Sequence, residues 1–376
     1  MNFSSTGNRS YSGLIQFVLG LILLSSQSVS SQSAYKLKKP ETGNDGWQTA
    51  FVGGVIHDTV PLFKVMEQLS GEESQLHSVL LLKNNTLLFE EYYRDYDRDK
   101  PHDLRSTTKS IRALLLGIAI DKGFVKSVDD PIYDYLPDLR PQKNPDPRKS
   151  QITIRHLLTM STGLECNDWD PKSKGQEDRV YKKKDWLQYT IDLPQVNDPG
   201  AVSAYCSMGA ILVAEIISQS SGMSIQEFAQ TYLFDPLEIS NIRWEHTNKG
   251  EVLDSGKRLY MTPRDLAKIG QLVLQEGQWK EEQLISANWI REATSPKTKI
   301  TGIDYGYLWW NFPFQAGETT LSGILATGNG GQYIMVFPTL NVVMVFTGGA
   351  YNSQEDKLPF VLVNRVFLPA FLNTKP

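Results

Sequence analysis

Two cysteines in 376 residues exclude a disulfide-dense scaffold and a four-thiolate zinc site. Positive charge is not in excess: 38 Lys and Arg stand against 42 Asp and Glu, a formal net charge of −4. That leaves no basic field to recruit nucleic acid or an anionic membrane. Glycine and proline are at ordinary levels, 28 and 19, which excludes collagen-like and low-complexity chains. The apolar stretch at residues 14–24 is 11 residues long, whereas a bilayer span needs roughly 20. No later segment is long and apolar enough to span. What is present is 40% apolar residues, enough for a sizeable core. At about 150 residues per domain, the length fits two domains or one large one.

The first 31 residues have the layout of a secretory signal peptide. A polar start with one basic side chain, Arg9, precedes the apolar stretch, and small residues follow at 25–33. No cysteine follows the apolar stretch to take a lipid. The expected mature protein starts near residues 30–32, is periplasmic or secreted, and has no stable membrane span after cleavage.

Residues 31–46 are polar and turn-rich and read as a flexible leader, with a first helix completing residues 32–76. Residues 77–93 read as two strands around Asn84 and Asn85, since asparagine tolerates the positive φ of tight hairpins. Residues 107–122 read as a helix with Gly123 as its C-terminal cap. Residues 129–150 read as a surface segment. Helical spacing recurs at 154–158, 207–221, 224–234, 263–275 and 287–293, and a final helix covers 358–372. Strand-like sequence returns at 302–312, 322–327, 332–337 and 341–347. The expected fold is α/β (α+β): residues 77–125 and 300–376 form an antiparallel sheet domain flanked by helices. Residues 126–299 form an inserted, mostly helical domain.

Ser106 opens the strongest helix, and Lys109 follows three residues later on the same face. A serine hydroxyl is a weak nucleophile until a base takes its proton. A lysine is such a base only as the neutral amine. The helix N-terminus, with Arg105 and Arg112 close in sequence, disfavours a further cation there. The bland alternative is an N-cap serine beside a solvent-facing lysine. The spacing is a weak signal alone, because Ser33 and Lys36 repeat it in the leader. Tyr205 sits on a loop just before a helix, followed by Ser207, where a phenol can relay protons or simply pack in the core. Asn329, Gly330, Gly331 and Gln332 join two strand-like runs. They read either as a plain hairpin turn or as an edge that presents N–H groups to the serine.

The order of these features, S-x-x-K, then Tyr-x-Ser about a hundred residues later, then a glycine-rich strand, resembles the serine β-lactamase and penicillin-binding-protein superfamily. The resemblance is nearest to the class C-like branch of esterases, D-amino-acid peptidases and 6-aminohexanoate-dimer hydrolases. It covers most of residues 77–372, with further support at 152–164, 233–237, 260–270, 305–310 and 328–349. It implies an acylated Ser106, activation by Lys109 and proton transfer by Tyr205. It also implies an oxyanion held by the N–H groups of Ser106 and Gln332. Ser207, Asn329, Gly330 and Gly331 would line the substrate site. No metal or organic cofactor is implied. Two positions depart from the family pattern: Ser207 stands where Asn is common, and Asn329 where Lys or His is common. An uncharged Asn329 favours neutral esters and amides over penicillins.

The expected function is thus an exported serine hydrolase acting on a small ester, amide or peptide substrate. A cell-wall D-amino-acid peptidase and a non-turnover penicillin-binding or sensor protein are the alternatives. Cys166 and Cys206 can pair in an oxidising compartment, closing a loop of about 40 residues beside Tyr205; two separate buried thiols are the alternative. Trp169, Trp186, Trp309 and Trp310 are candidates for the cleft or the core. Asp168 and Asp170 flank Trp169 in a polar loop that could border the cleft. His57, His77, His102, His156 and His246 show no paired metal-ligand spacing.

Overall fold

A computed structural model describes residues 35–56, 58–71, 74–246 and 253–372. The expected signal peptide at residues 1–31 lies outside them, as does His57. Nine strands make the main sheet among the described residues. In chain order they are β1 (Gln48–Thr49), β2 (Leu76–Lys83), β3 (Thr86–Tyr92), β4 (Thr298–Ile300), β5 (Ile303–Tyr305), β6 (Trp310–Ala316), β7 (Thr319–Gly328), β8 (Gln332–Phe337) and β9 (Val342–Gly348). Across the sheet they run β1-β3-β2-β9-β8-β7-β6-β5-β4. Every neighbouring pair is antiparallel except β1 with β3.

The two ends of the chain meet at β2 and β9, in the register Val342 with Lys83 through Thr347 with Ser78. The expected closure across a long insertion is therefore present. The β2–β3 turn is made by Asn84 and Asn85 at φ 50° and 60°, the positive values a two-residue hairpin requires.

Helices cover both sheet faces. The main ones are α1 (Val60–Gly71), α2 (Thr107–Asp121), α3 (Ser207–Ser221) and α4 (Pro263–Leu274). On one face α4 lies against β8 and β9. A Cβ at Gly270 would come within 2.5 Å of Val343 Cγ1 and 2.8 Å of Ile334 Cγ2, so glycine permits this close packing. The alternate side chains point to the other face. There Phe346 meets Phe367 and Tyr333 meets Phe360, both from the helical run at 358–372. With both faces covered, every residue of β8 and β9 is buried. Such strands read as continuous apolar runs rather than as alternation.

Two expectations change. Residues 126–299 are not wholly a helical insertion. Helix α4 belongs to the layer on the sheet. Ile242–Glu245 and Arg258–Met261 are strands that join His102–Asp103 in a second, three-stranded sheet. The leader is also held over its described residues 35–46. Tyr35 donates to Glu91 at 2.7 Å, and Asp45 pairs with Arg264 at 2.7 Å. Among the described residues no single helix is long and apolar enough to cross a membrane.

Candidate active site

The small sheet delivers the nucleophile. Its strand His102–Asp103 pairs with Arg258–Met261, and the chain then turns sharply at Arg105, whose φ is 50°. Asp103 holds that turn, accepting from the Arg105 backbone N–H at 3.0 Å and pairing with the Arg105 guanidinium at 2.9 Å. Ser106 follows at the cap of α2. One turn on, the buried Lys109 donates from Nζ to Ser106 Oγ at 2.8 Å. The start of α2 rests on the end of β7: a Cβ at Gly328 would lie 2.4 Å from the Leu104 carbonyl oxygen.

Tyr205 comes from the loop before α3, with its ring centroid 5.1 Å from Lys109 Nζ. Trp169 stacks on that ring at 4.8 Å and 2°, and Trp310 packs beside it at 6.0 Å. Trp186 and Trp309 are core residues. The Cys166–Cys206 disulfide is formed, with Cα atoms 5.5 Å apart. It fixes the loop that carries Asp168 and Trp169 against the start of α3. The Asp168 backbone N–H donates to the Tyr205 carbonyl at 2.8 Å.

Ser207 joins two carboxyl groups. Its backbone N–H and its hydroxyl both reach Asp168 Oδ2 at 2.7 Å. The same hydroxyl lies 2.8 Å from Glu177 Oε2, which also accepts from the Tyr181 hydroxyl at 3.0 Å. Asp168 Oδ1 accepts the Glu177 backbone N–H at 3.0 Å. Burial, then the negative charge of Glu177, push the Asp168 carboxyl up to about 7, against the pull of Lys109 and of the Ser207 donors. Burial likewise draws Arg112 of α2 down to about 10; its guanidinium donates to the Ser255 and Lys257 carbonyls.

The glycine-rich turn divides the expected residues. Asn329 faces the cleft, its side chain tied to Asn352 by two hydrogen bonds of 2.8 and 2.9 Å. Gly330 and Gly331 take φ 96° and 99° and shape the turn. Gln332 does not reach the cleft. It is fully buried, pairs with Gly328 in the ladder, and its side-chain amide bonds to the backbone of Gly348. The end of β7 packs on Leu104, the Gln332 carbonyl at the start of β8 accepts from Thr107 Oγ1 at 3.5 Å, and the turn between the strands brings Asn329 to the hollows at Ser106.

Two hollows open at Ser106. One, of about 390 Å³, is bordered by Asp168, Trp169, Tyr205 and the Asn352–Lys357 segment. The other, of about 170 Å³, runs along α2 past Lys109 to Arg112 and Arg258. Glu177, Asp178 and Asn329 face both. Sequence reasoning passed over Glu177, Tyr181 and Arg258. No local pattern marks them; the cysteine pairing that anchors the 166–206 loop was the one available pointer to Glu177. Among the described residues, no group of three or more His, Cys, Asp or Glu side chains is placed to hold a metal ion.

Comparison with known proteins gives a consistent result. A 6-aminohexanoate-dimer hydrolase of Paenarthrobacter ureafaciens is 24% identical over 73% of this chain and 72% of its own. A β-lactamase of Escherichia coli K12 is 22% identical over 56% of this chain and 55% of its own. Among solved structures, a putative 6-aminohexanoate-dimer hydrolase from Bacillus anthracis superposes with a TM-score of 0.64 at 17% identity, covering 77% of this chain and 79% of its own. A penicillin-binding protein from Bacillus halodurans gives 0.59 at 17% identity, covering 77% and 96%. The β-lactamase family model matches residues 72–359. With the fold and the Ser-x-x-Lys geometry in place, the chain belongs to the β-lactamase family and is a hydrolase of the serine β-lactamase type.

Proposed function

We propose that the protein is an exported hydrolase that cleaves ester or amide bonds through a Ser106 acyl-enzyme. The observation that carries this is the 2.8 Å contact of Lys109 Nζ with Ser106 Oγ, with Tyr205 alongside at the mouth of one cleft. Lys109, as the neutral amine, takes the Ser106 proton as Oγ attacks the substrate carbonyl. The carbonyl electrons move to oxygen, and the backbone N–H groups of Ser106 and Asn329 hold that oxyanion. Asn329 takes the place expected for Gln332 because it is the residue of the turn that faces Ser106. The oxyanion then collapses, the bond to the leaving alcohol or amine breaks, and Tyr205 gives that group a proton and regains one from Lys109. Water then cleaves the acyl-enzyme by the same proton path.

The substrate reading follows from charge. Asn329 offers a hydrogen bond and no positive charge, which favours simple esters and amides over penicillins. The relative named as a 6-aminohexanoate-dimer hydrolase supports an amide substrate. Export is supported by the layout of residues 1–31 and by the disulfide. N-terminal sequencing of the mature protein is expected to start near residues 30–32.

The test is intact mass after incubation with a fluorophosphonate, with turnover of a p-nitrophenyl ester measured alongside. A single adduct and steady turnover, both lost in Ser106→Ala, are expected. Ester turnover retained by Ser106→Ala would overturn the assignment. An adduct without turnover would mark a penicillin-binding or sensor protein instead.

A further inference from the structure

Arginine gathers on one side of Ser106. Ser106, Lys109 and Arg112 follow one another at three-residue intervals, so α2 presents them along one face. The hollow of about 170 Å³ runs along that face and is also lined by Arg105 and Arg258. Arg112 is 4% exposed. One nitrogen of its guanidinium donates to the Ser255 and Lys257 carbonyls, and its Nε is buried with no hydrogen-bond partner. Among the described residues Arg112 forms no ion pair, whereas a buried cation ordinarily has a carboxylate beside it. Arg105 and Arg258 share a single carboxylate, Asp103, at 2.9 and 3.4 Å, and Arg258 Nε is also buried without a partner. Three arginines thus line one hollow with one paired carboxylate among them. We propose that this hollow is a subsite for a carboxylate on the acyl part of the substrate, received by Arg112 and Arg258 while the scissile carbonyl lies at Ser106.

The inference rests on the acyl-enzyme reading above and adds the substrate class of that site. Tyr205, which protonates the leaving group, lines the larger hollow and not this one. The leaving group therefore departs on the Tyr205 side, and the acyl part extends along α2. Arg112 starts six residues beyond Ser106, roughly 9 Å along the helix axis. Helix side chains lean back toward the N-terminus, so a short carbon chain crosses the gap. The substrates are half-esters or half-amides of dicarboxylic acids, with the free carboxylate a few carbons from the bond that is cleaved. Asn329 meets the reacting group from the turn with a hydrogen bond and no charge; the charge comes from the α2 side.

Neighbouring groups do not answer the arginines in another way. Glu177 and Asp178 line the same hollow, but neither is ion-paired with a guanidinium among the described residues. Glu177 is taken up by the Ser207 and Tyr181 hydroxyls, and Asp178 is exposed and bonded to Gln176. Holding the backbone at Ser255 and Lys257 accounts for one nitrogen of Arg112 and leaves its Nε and its charge unanswered. A neutral donor would make those two bonds without the cost of a buried charge. Burial draws Arg112 down only to about 10, so it is a cation at neutral pH. The planar guanidinium fork matches the two oxygens of a carboxylate. A free inorganic anion offers similar oxygens, and the test separates the two sources.

The experiment compares two esters of equal chain length, mono-p-nitrophenyl adipate and p-nitrophenyl hexanoate, which differ by a carboxylate in place of a methyl group. In wild type the adipate ester should have the higher kcat/KM by roughly tenfold to a hundredfold, the range of a hydrogen bond to a charged group. In Arg258→Gln and in Arg112→Gln that ratio should fall at least about tenfold, with most of the change in KM. Thermal unfolding confirms that each variant is folded; if Arg112→Gln is not, the half-buried Arg258 still decides the matter. Sodium sulfate at constant ionic strength should compete with the adipate ester. Equal kcat/KM for the two esters in wild type, or an unchanged ratio in folded Arg258→Gln, would overturn the proposal. Sulfate that speeds the hexanoate ester, with no preference for the adipate ester, would assign the hollow to a free anion and overturn it as well. Calorimetry on Ser106→Ala separates this from the chemistry. That variant should bind adipic acid monomethylamide at least about tenfold more tightly than N-methylhexanamide. If Ser106→Ala retains ester turnover, the acyl-enzyme reading fails, and the binding ratio still decides the subsite.

Discussion

Gly328 is held to its identity by the close approach of Leu104 and Gln332. A Cβ there would sit 2.4 Å from the Leu104 carbonyl oxygen, two residues before the nucleophile. Gly328→Ala must therefore push β7 away from the start of α2. We expect a stability loss of about 1–3 kcal/mol from overpacking. Labelling of Ser106 should slow more than stability alone implies, by up to roughly a hundredfold, because a shift of about 1 Å at a reacting centre has that effect. Urea midpoints and labelling rates, measured on one preparation, separate the two effects. Unchanged labelling would mean that β7 does not position Ser106. At this scale the sequence revealed what is local. Ser106 and Lys109 are three residues apart on one helix, so their meeting follows from helical geometry. Glu177 reaches Ser207 only because a loop folds back, which no short window encodes. Gln332 was misplaced because a turn seen only as sequence does not show which of its residues faces the serine.

Helices and strands were legible where their pattern is local, and their partners were not. The helix at 263–274 was expected as part of an insertion. Its apolar face is plain in the sequence, but periodicity names a face and not the surface it meets. Gly270 against Val343 and Ile334 shows that the partner is the sheet. The 166–206 loop makes the opposite point, since its two ends were predictable from two cysteines alone. The bond places Asp168, two residues after Cys166, beside Ser207, one residue after Cys206. Removing it with Cys166→Ser/Cys206→Ser frees a loop closed over a sequence separation of 40. The chain-entropy relation gives a loss of up to about 4 kcal/mol. Chemical denaturation measures that loss. Because the loop also holds Trp169 on the Tyr205 ring and the Asp168 N–H on the Tyr205 carbonyl, fluorophosphonate labelling of Ser106 should slow in the same variant. A change in stability with an unaltered labelling rate would show that the loop keeps its shape without the bond.

The whole molecule is tied together by Arg264, whose side chain is 4% exposed. From α4 it grips Glu90 of β3 with two contacts, 2.8 and 2.5 Å, and Asp45 of the N-terminal segment at 2.7 Å. It thus joins a helix, the sheet and a stretch that composition alone marked as flexible. The sequence concealed this because Asp45 lies among turn-forming residues, more than 200 positions from its partner. Arg264→Met would leave Glu90 buried without its cation, at a cost of about 3–5 kcal/mol. Asp45 supplies a gentler test through pH. Burial alone would raise its carboxyl, but the hydrogen bond and charge of Arg264 hold it below the usual range. A carboxyl lowered in the folded state stabilises above its unfolded value, about 4, and that contribution is lost as pH falls through the folded value. Wild type should therefore lose stability steeply in acid. Asp45→Asn should start lower at neutral pH and lose less on acidification, so that the two urea-midpoint curves converge as pH falls. Parallel curves would mean that Asp45 does not hold the N-terminal segment to α4, and that the Trp47 indole N–H on the Arg264 carbonyl and the Arg264 guanidinium on the Glu41 carbonyl do so without it.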